Sequence, residues 1–235
     1  MTADVKKFFG RLSLFVPFFL VTVIFPTLVM WKAGELVSID HVVEEQKKAS
    51  GVVLFGPAYN GAMGYYSLKA ISRRRPDVIA LGSSRVMSFR SAFFTPEVSF
   101  YNAGGAAREI RHFREFIYRL PSDYHPKVII AGLDQRYFNE EWIPEEDVRN
   151  LKTFYAPPNR SSMWMSALKK FLQDYKCGKF QIKDVFAPQP ADYQKIGLSA
   201  IVNHSGTLND GSHYYGKDIS RSNGIFPQAL EQIVQ

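Results

Sequence analysis

The sequence predicts an α/β domain built on a parallel sheet and preceded by one transmembrane helix. Three observations carry that prediction. Residues 12–31 form a 20-residue run without charge, short continuous apolar runs recur at 77–82, 98–102 and 127–132, and a helical apolar stripe separates the second from the third. Across 235 residues the composition is 46% hydrophobic, 14% aromatic and 22% charged, which excludes a disordered chain, a collagen-like repeat and a coiled coil.

The apolar run from Leu12 to Trp31 is interrupted only by Ser13, Pro17, Thr22, Pro26 and Thr27. At ~1.5 Å per residue it reaches about 30 Å, the thickness of a bilayer's hydrocarbon core. Each proline removes a backbone hydrogen bond, which a membrane helix tolerates when local adjustments satisfy the freed carbonyls. Lys6, Lys7 and Arg11 precede the run against a single Asp4, whereas Lys32 is answered by Glu35, Asp40, Glu44 and Glu45. That bias keeps residues 1–11 cytoplasmic and exports the chain after Trp31. The expected location is the cell membrane, single-pass through 12–31, with the main domain periplasmic or extracellular. A cleaved signal peptide is the alternative, with an apolar region of ~7–15 residues and a small-residue cleavage site. The sequence Trp31-Lys32-Ala33-Gly34-Glu35 is a poor site of that kind.

From Lys32 onward 204 residues remain, enough for one domain with a sizeable core. They hold 26 Lys plus Arg against 21 Asp plus Glu. The Arg108, Arg111, Arg114 and Arg119 series is interleaved with Glu109 and Glu115 and reads as a solvated helix face, with binding of anionic glycans or lipid headgroups as the alternative. Nucleic acid is not an expected partner of an exported domain. The single Cys177 makes no internal disulfide, and the five His residues lack zinc-ligand spacing, so no metal and no cofactor is expected.

Taken in order, residues 32–63 read as a membrane-proximal segment, with a short exposed helix end at 44–48 and a turn-rich passage from Gly51 to Asn60. Residues 64–74 read as a helix stopped by Pro76. Asp77 to Gly82, Val98 to Asn102 and Lys127 to Gly132 read as strands buried on both faces. Ile110, Phe113, Ile117 and Leu120 recur at helical spacing, so 106–120 is a helix with one face on the sheet. Strand, helix, strand in that order is a right-handed βαβ unit. Its sites form outside the carboxyl ends of the strands. Here those ends are Gly82-Ser83-Ser84, Asn102-Ala103-Gly104-Gly105 and Gly132-Leu133-Asp134. Residues 135–209 read as a helical insertion with a clear helix at 162–175. The only strand candidate in it is Ala200 to Val202. Residues 226–235 read as a helix, and a three-stranded sheet is small enough to suggest truncation at the C-terminus.

Ser84 comes just after a buried strand on a tight turn, a place that exposes its hydroxyl and leaves its N–H free for an oxyanion. Here the chain resembles the SGNH/GDSL hydrolase superfamily, and within it the membrane-anchored envelope branch of alginate O-acetyltransferase-like and teichoic acid D-alanyl-transfer proteins. The resemblance spans about residues 64–139 and rests on Asp77 to Val86, Phe100 to Gly105 and Val128 to Asp134. It implies a flavodoxin-like three-layer α/β/α sandwich for 64–235 and makes Ser84 the nucleophile, with Ser83 where the family has Asp. It implies an oxyanion hole from Ser84, Gly104, Gly105 and the position of Asp134, where the family carries an Asn amide. The last family block, Asp-x-x-His, has the spacing of Asp210 and His213, which makes His213 the base and Asp210 its orienting carboxylate. The alternatives are a polar turn entering a surface hairpin, with the true block beyond Gln235 or absent, or His204 as the base. The resemblance implies an esterase or O-acyltransferase acting on acyl esters of a cell-envelope glycan, with the glycan or an acyl donor as partner. The rival is a catalytically inactive binding or assembly factor for envelope polysaccharide.

Overall fold

The computed structural model describes residues 13, 15–59, 61–139, 141, 151–189 and 193–215. The helix expected at 226–235 lies outside them, as do residues 142–150 and 190–192 of the expected insertion.

Helix α1, Phe15–Lys32, has a mean hydropathy of 1.8 and is long and apolar enough to cross a membrane. A π-turn at Leu20–Ile24 sits immediately before the turn that holds Pro26. Such a widening accommodates the hydrogen bond that proline removes. Thr22 and Thr27 donate their hydroxyls back to the Phe18 and Val23 carbonyls at 2.7 Å, so both donors are satisfied within the helix. The far end of α1 is not free. Val29, Met30 and Ala33 pack among Ala167, Leu168, Phe171, Phe180 and Leu198.

Beyond it come α2 (Ile39–Lys48), β1 (Val52–Phe55), α3 (Met63–Arg74), β2 (Val78–Gly82), β3 (Phe100–Gly104), α4 (Ile110–Tyr118) and β4 (Val128–Gly132). The chain continues through α5 (Leu151–Phe154), α6 (Arg160–Lys176), α7 (Ile182–Phe186), β5 (Tyr193–Ile196), α8 (Leu198–Val202), β6 (Gly206–Thr207) and β7 (His213–Tyr214). Two sheets result. One is parallel, in the order β3-β2-β4, and the other is mixed, in the order β5-β1-β6-β7. In the parallel sheet Gly82 is level with both Gly104 and Gly132, so all three strands end at one height. In the mixed sheet β1 runs parallel to β5 and antiparallel to β6.

One core joins the two sheets. It brings Ile39, Val42 and Val43 of α2 and Val53 and Phe55 of β1 against Tyr66, Ile79, Leu81, Tyr101 and Phe116. The mixed α/β class and the parallel sheet agree with the sequence reading, and so do the three strands and the helices at 63–74, 110–118 and 160–176. Several local expectations do not hold. The passage from Gly51 to Asn60 is not all turn: Val52–Phe55 is an inner strand, and its apolar run between Gly51 and Gly56 was the local signal for it. Within the stretch expected to be membrane-proximal, Ile39, Val42, Val43, Val53 and Phe55 pack into the common core. The stretch 135–209 contributes β5, parallel to β1, and the strand candidate at Ala200 is instead part of helix α8. Nor is β4 buried on both faces. Among the described residues it pairs on one side only, and Val128 is 50% exposed.

Candidate functional site

The carboxyl ends of the parallel strands form one wall of a cavity of about 450 Å³. Close backbone approach builds that wall. A Cβ on Gly132 would come within 2.1 Å of Val86 Cγ1, so only glycine lets the turn after β2 lie over β4. Ser83 begins this turn. Its buried hydroxyl accepts from Arg85 N–H and donates to Asp134 Oδ2, both at 3.3 Å. Ser84 opens the short 3₁₀ turn Ser84–Val86 and is exposed in the cavity. Among the described residues neither its hydroxyl nor its N–H has a hydrogen-bond partner.

His213 reaches the same cavity from the mixed sheet. Its N–H donates to the Met87 carbonyl at 2.8 Å, which fastens β7 to the loop carrying Ser84. The imidazole Nε2 lies 3.1 Å from Ser205 Oγ, and the ring packs on Tyr215 at 4.3 Å. Burial, assisted by the nearby Arg90 charge, holds His213 below the usual imidazole value of 6.5. The ring is therefore neutral, and able to accept a proton, at neutral pH.

The remaining residues named from the sequence divide into two groups. Ser84, Gly105, Asp134 and His213 all line the cavity. Asp210 does not orient His213: its carboxylate accepts from Ser212 N–H at 3.1 Å, Ser212 Oγ at 2.5 Å and Ser91 N–H at 2.8 Å. The segment 208–212 is the polar turn of a β6–β7 hairpin, and His213 is its first strand residue after that turn. His204 lies elsewhere, its ring 3.0 Å from Lys195 Nζ. The glycine donors are engaged as well. Gly104 N–H donates to Asn102 Oδ1 at 2.7 Å, and Gly105 N–H donates to the Gly82 and Ser83 carbonyls at 2.8 and 3.2 Å. Asp134 carries a paired charge, with Oδ2 at 3.1 Å from Arg85 Nε. It also caps the turn Gln135–Phe138 through Arg136 N–H.

Three further features of the site were given no catalytic part in the sequence reading. Asn102 is buried, and its amide donates to the Val86 and Phe89 carbonyls at 2.6 and 2.8 Å, holding the Ser84 loop on the end of β3. An Asn at the end of an otherwise apolar strand was the available signal. Arg108 and Arg136 line the cavity beside Ser84 and give it a cationic side. Tyr66 forms part of the wall and donates to Gln46 Oε1; burial pushes its phenol to about 12, so it stays protonated. Among the described residues no group of three or more His, Cys, Asp or Glu side chains converges as metal ligands would.

Comparison with protein-family models, with curated proteins and with solved structures finds no significant match to this chain.

Proposed function

We propose that the chain is a membrane-anchored SGNH-like enzyme that cleaves or transfers acyl esters of a cell-envelope glycan. One observation carries this reading: an exposed, unpartnered Ser84 at the end of a buried parallel strand shares a cavity with a neutral His213. Ser84 Oγ would attack the acyl carbon while His213 takes its proton. The tetrahedral oxyanion would meet the Ser84 N–H and the cationic side made by Arg108 and Arg136. Collapse would release the sugar hydroxyl, which recovers the proton from His213. Water or an acceptor hydroxyl would then attack the acyl-serine.

In this reading the parallel sheet is the centre of a three-layer α/β/α sandwich, α1 crosses the membrane, and residues 1–11 remain cytoplasmic. A C-terminal alkaline phosphatase fusion should be active and a cytoplasmic reporter inactive. The opposite result overturns the orientation. For the chemistry, the full-length protein should react with a fluorophosphonate probe and turn over a small acetyl ester, and Ser84→Ala should abolish both. His213→Ala should abolish both as well. Retained activity there would leave Ser84 standing and move the base elsewhere.

Specific observations favour a second reading, that of a non-catalytic binding factor for envelope polysaccharide. Asp134 stands where the family has an amide donor, Asp210 does not touch His213, and the Gly104 and Gly105 N–H groups are engaged. An intact protein that neither labels nor turns over glycan acyl esters, yet binds the glycan, would establish it.

A further inference from the structure

A second cavity, of about 280 Å³, opens between α6 and the segment just after α1. Leu36, Val37, Tyr59, Pro158, Trp164 and Ala167 supply most of its wall. The polar groups in that wall are already engaged. Glu35 accepts from the N–H groups of Ala58, Tyr59 and Leu198 at 2.8, 3.3 and 2.6 Å. Asp40 pairs with Lys69 at 3.1 Å and accepts from Tyr65, and Ser38 Oγ accepts from His41 N–H. A ligand entering here meets chiefly aliphatic and aromatic carbon, and a polar ligand would lose its hydration with little compensation. The matching chemistry is a hydrocarbon chain.

The position of the cavity says where such a chain comes from. Trp164 Nε1 donates to Thr27 Oγ1 at 3.2 Å. Thr27 lies within the apolar run of α1, about 7.5 Å along the helix axis from Lys32 toward the bilayer. Ala167, one turn further along α6, packs with Val29 and Met30. Two wall residues are thus fixed against the membrane helix itself, at the interfacial depth where tryptophan concentrates. Ile39 lines both this cavity and the one holding Ser84. An acyl lipid seated here therefore lies against the reaction cavity.

The geometry points to a lipid acyl-chain site: one chain of a membrane phospholipid leaves the leaflet beside Trp164 and occupies this cavity. The inference rests on the proposed crossing of the membrane by α1. Its test uses the full-length protein in nanodiscs of phosphatidylcholine that include phosphatidylcholine with a diazirine at the end of one acyl chain. After irradiation, adducts should map to the exposed face of residues 15–28 and also to Leu36, Val37, Pro157, Pro158 or Ala167. Leu36→Trp, which fills the cavity, should reduce the second group several-fold and leave the first unchanged. Adducts confined to 15–28 would overturn the acyl-chain site while leaving the crossing intact. Adducts in neither region would overturn the crossing and this site with it. Wall adducts obtained with a diazirine-bearing stearate but not with the phosphatidylcholine probe would overturn the phospholipid as the source.

Discussion

The parallel sheet pairs Val78 with Phe100, whereas the mixed sheet pairs Val52 with Tyr193. Closing the longer loop costs about 2 kcal/mol more in chain entropy, since the cost grows with the logarithm of loop length. The two sheets meet that cost differently. β2 is buried on both faces and is held by backbone ladders to each neighbour, so continuous apolar sequence suffices. The mixed sheet has strands of only two residues at β6 and β7, and polar side chains clamp it. Asn209 accepts from Val53 N–H at 2.8 Å and donates to the Gly51 carbonyl at 2.9 Å. Gln46 donates to the Val53 and Thr207 carbonyls at 3.0 and 3.1 Å. The cavity thus joins Ser84, on a locally specified turn, to His213, on a long-range, side-chain-clamped hairpin.

The largest expected effect breaks the comparison at Ser84, the proposed nucleophile. Ser84→Ala should lower ester turnover by about 10³-fold or more, as loss of a nucleophile does elsewhere. It should leave the melting temperature unchanged, because the hydroxyl is exposed and unpartnered among the described residues.

Next in size is a backbone change in the mixed sheet. Gly197 has φ +101° and ψ 150°, and a Cβ there would meet the Gly56 carbonyl oxygen at 2.4 Å. Gly197→Ala should cost about 3 kcal/mol in urea unfolding, from a backbone region nearly closed to other residues together with the clash. Unchanged stability would mean that the backbone after β5 does not pack closely on Gly56.

Asp134→Asn sharpens the comparison from the parallel side. It replaces a carboxylate in the cavity wall with an amide, and one oxyanion-hole donor, in the proposed mechanism, is worth about 10²–10³-fold in rate. Probe labelling should rise roughly tenfold, the smaller figure reflecting the loss of the Arg85 pair. No change in labelling would place the oxyanion away from β4.

Asn209→Ala removes one hydrogen bond to β1 and one to Gly51 just before it, and equilibrium unfolding should register a loss of about 1–2 kcal/mol. The smallest effect is in pH dependence. His213 is held below 6.5 in the folded protein, so the unfolded chain takes up that proton first on acidification. Stability should therefore be flat above 6.5 and decline as pH falls from there through the lower, folded value. The acid limb of turnover should likewise have its midpoint below 6.5. A midpoint above 6.5 would show His213 stabilised as a cation and unsuited to the role of base.

The sequence by itself determined the apolar helix near the N-terminus, the three parallel strands and the place of Ser84. Each is written in consecutive residues: a charge-free run, short apolar stretches and a strand-to-turn junction, all read through local periodicity. Tertiary structure alone decided that Val52–Phe55 pairs with residues near 193 and 207, and that His213 enters the cavity without Asp210. It also decided that Asp134 caps a turn and pairs with Arg85, and that the Gly104 and Gly105 N–H groups are engaged. Those features depend on which donors and acceptors meet after distant segments close. A four-residue strand or an Asp-x-x-His spacing carries no local trace of its partner, because hydrogen-bond pairing is set by the folded chain's geometry and not by neighbours in sequence.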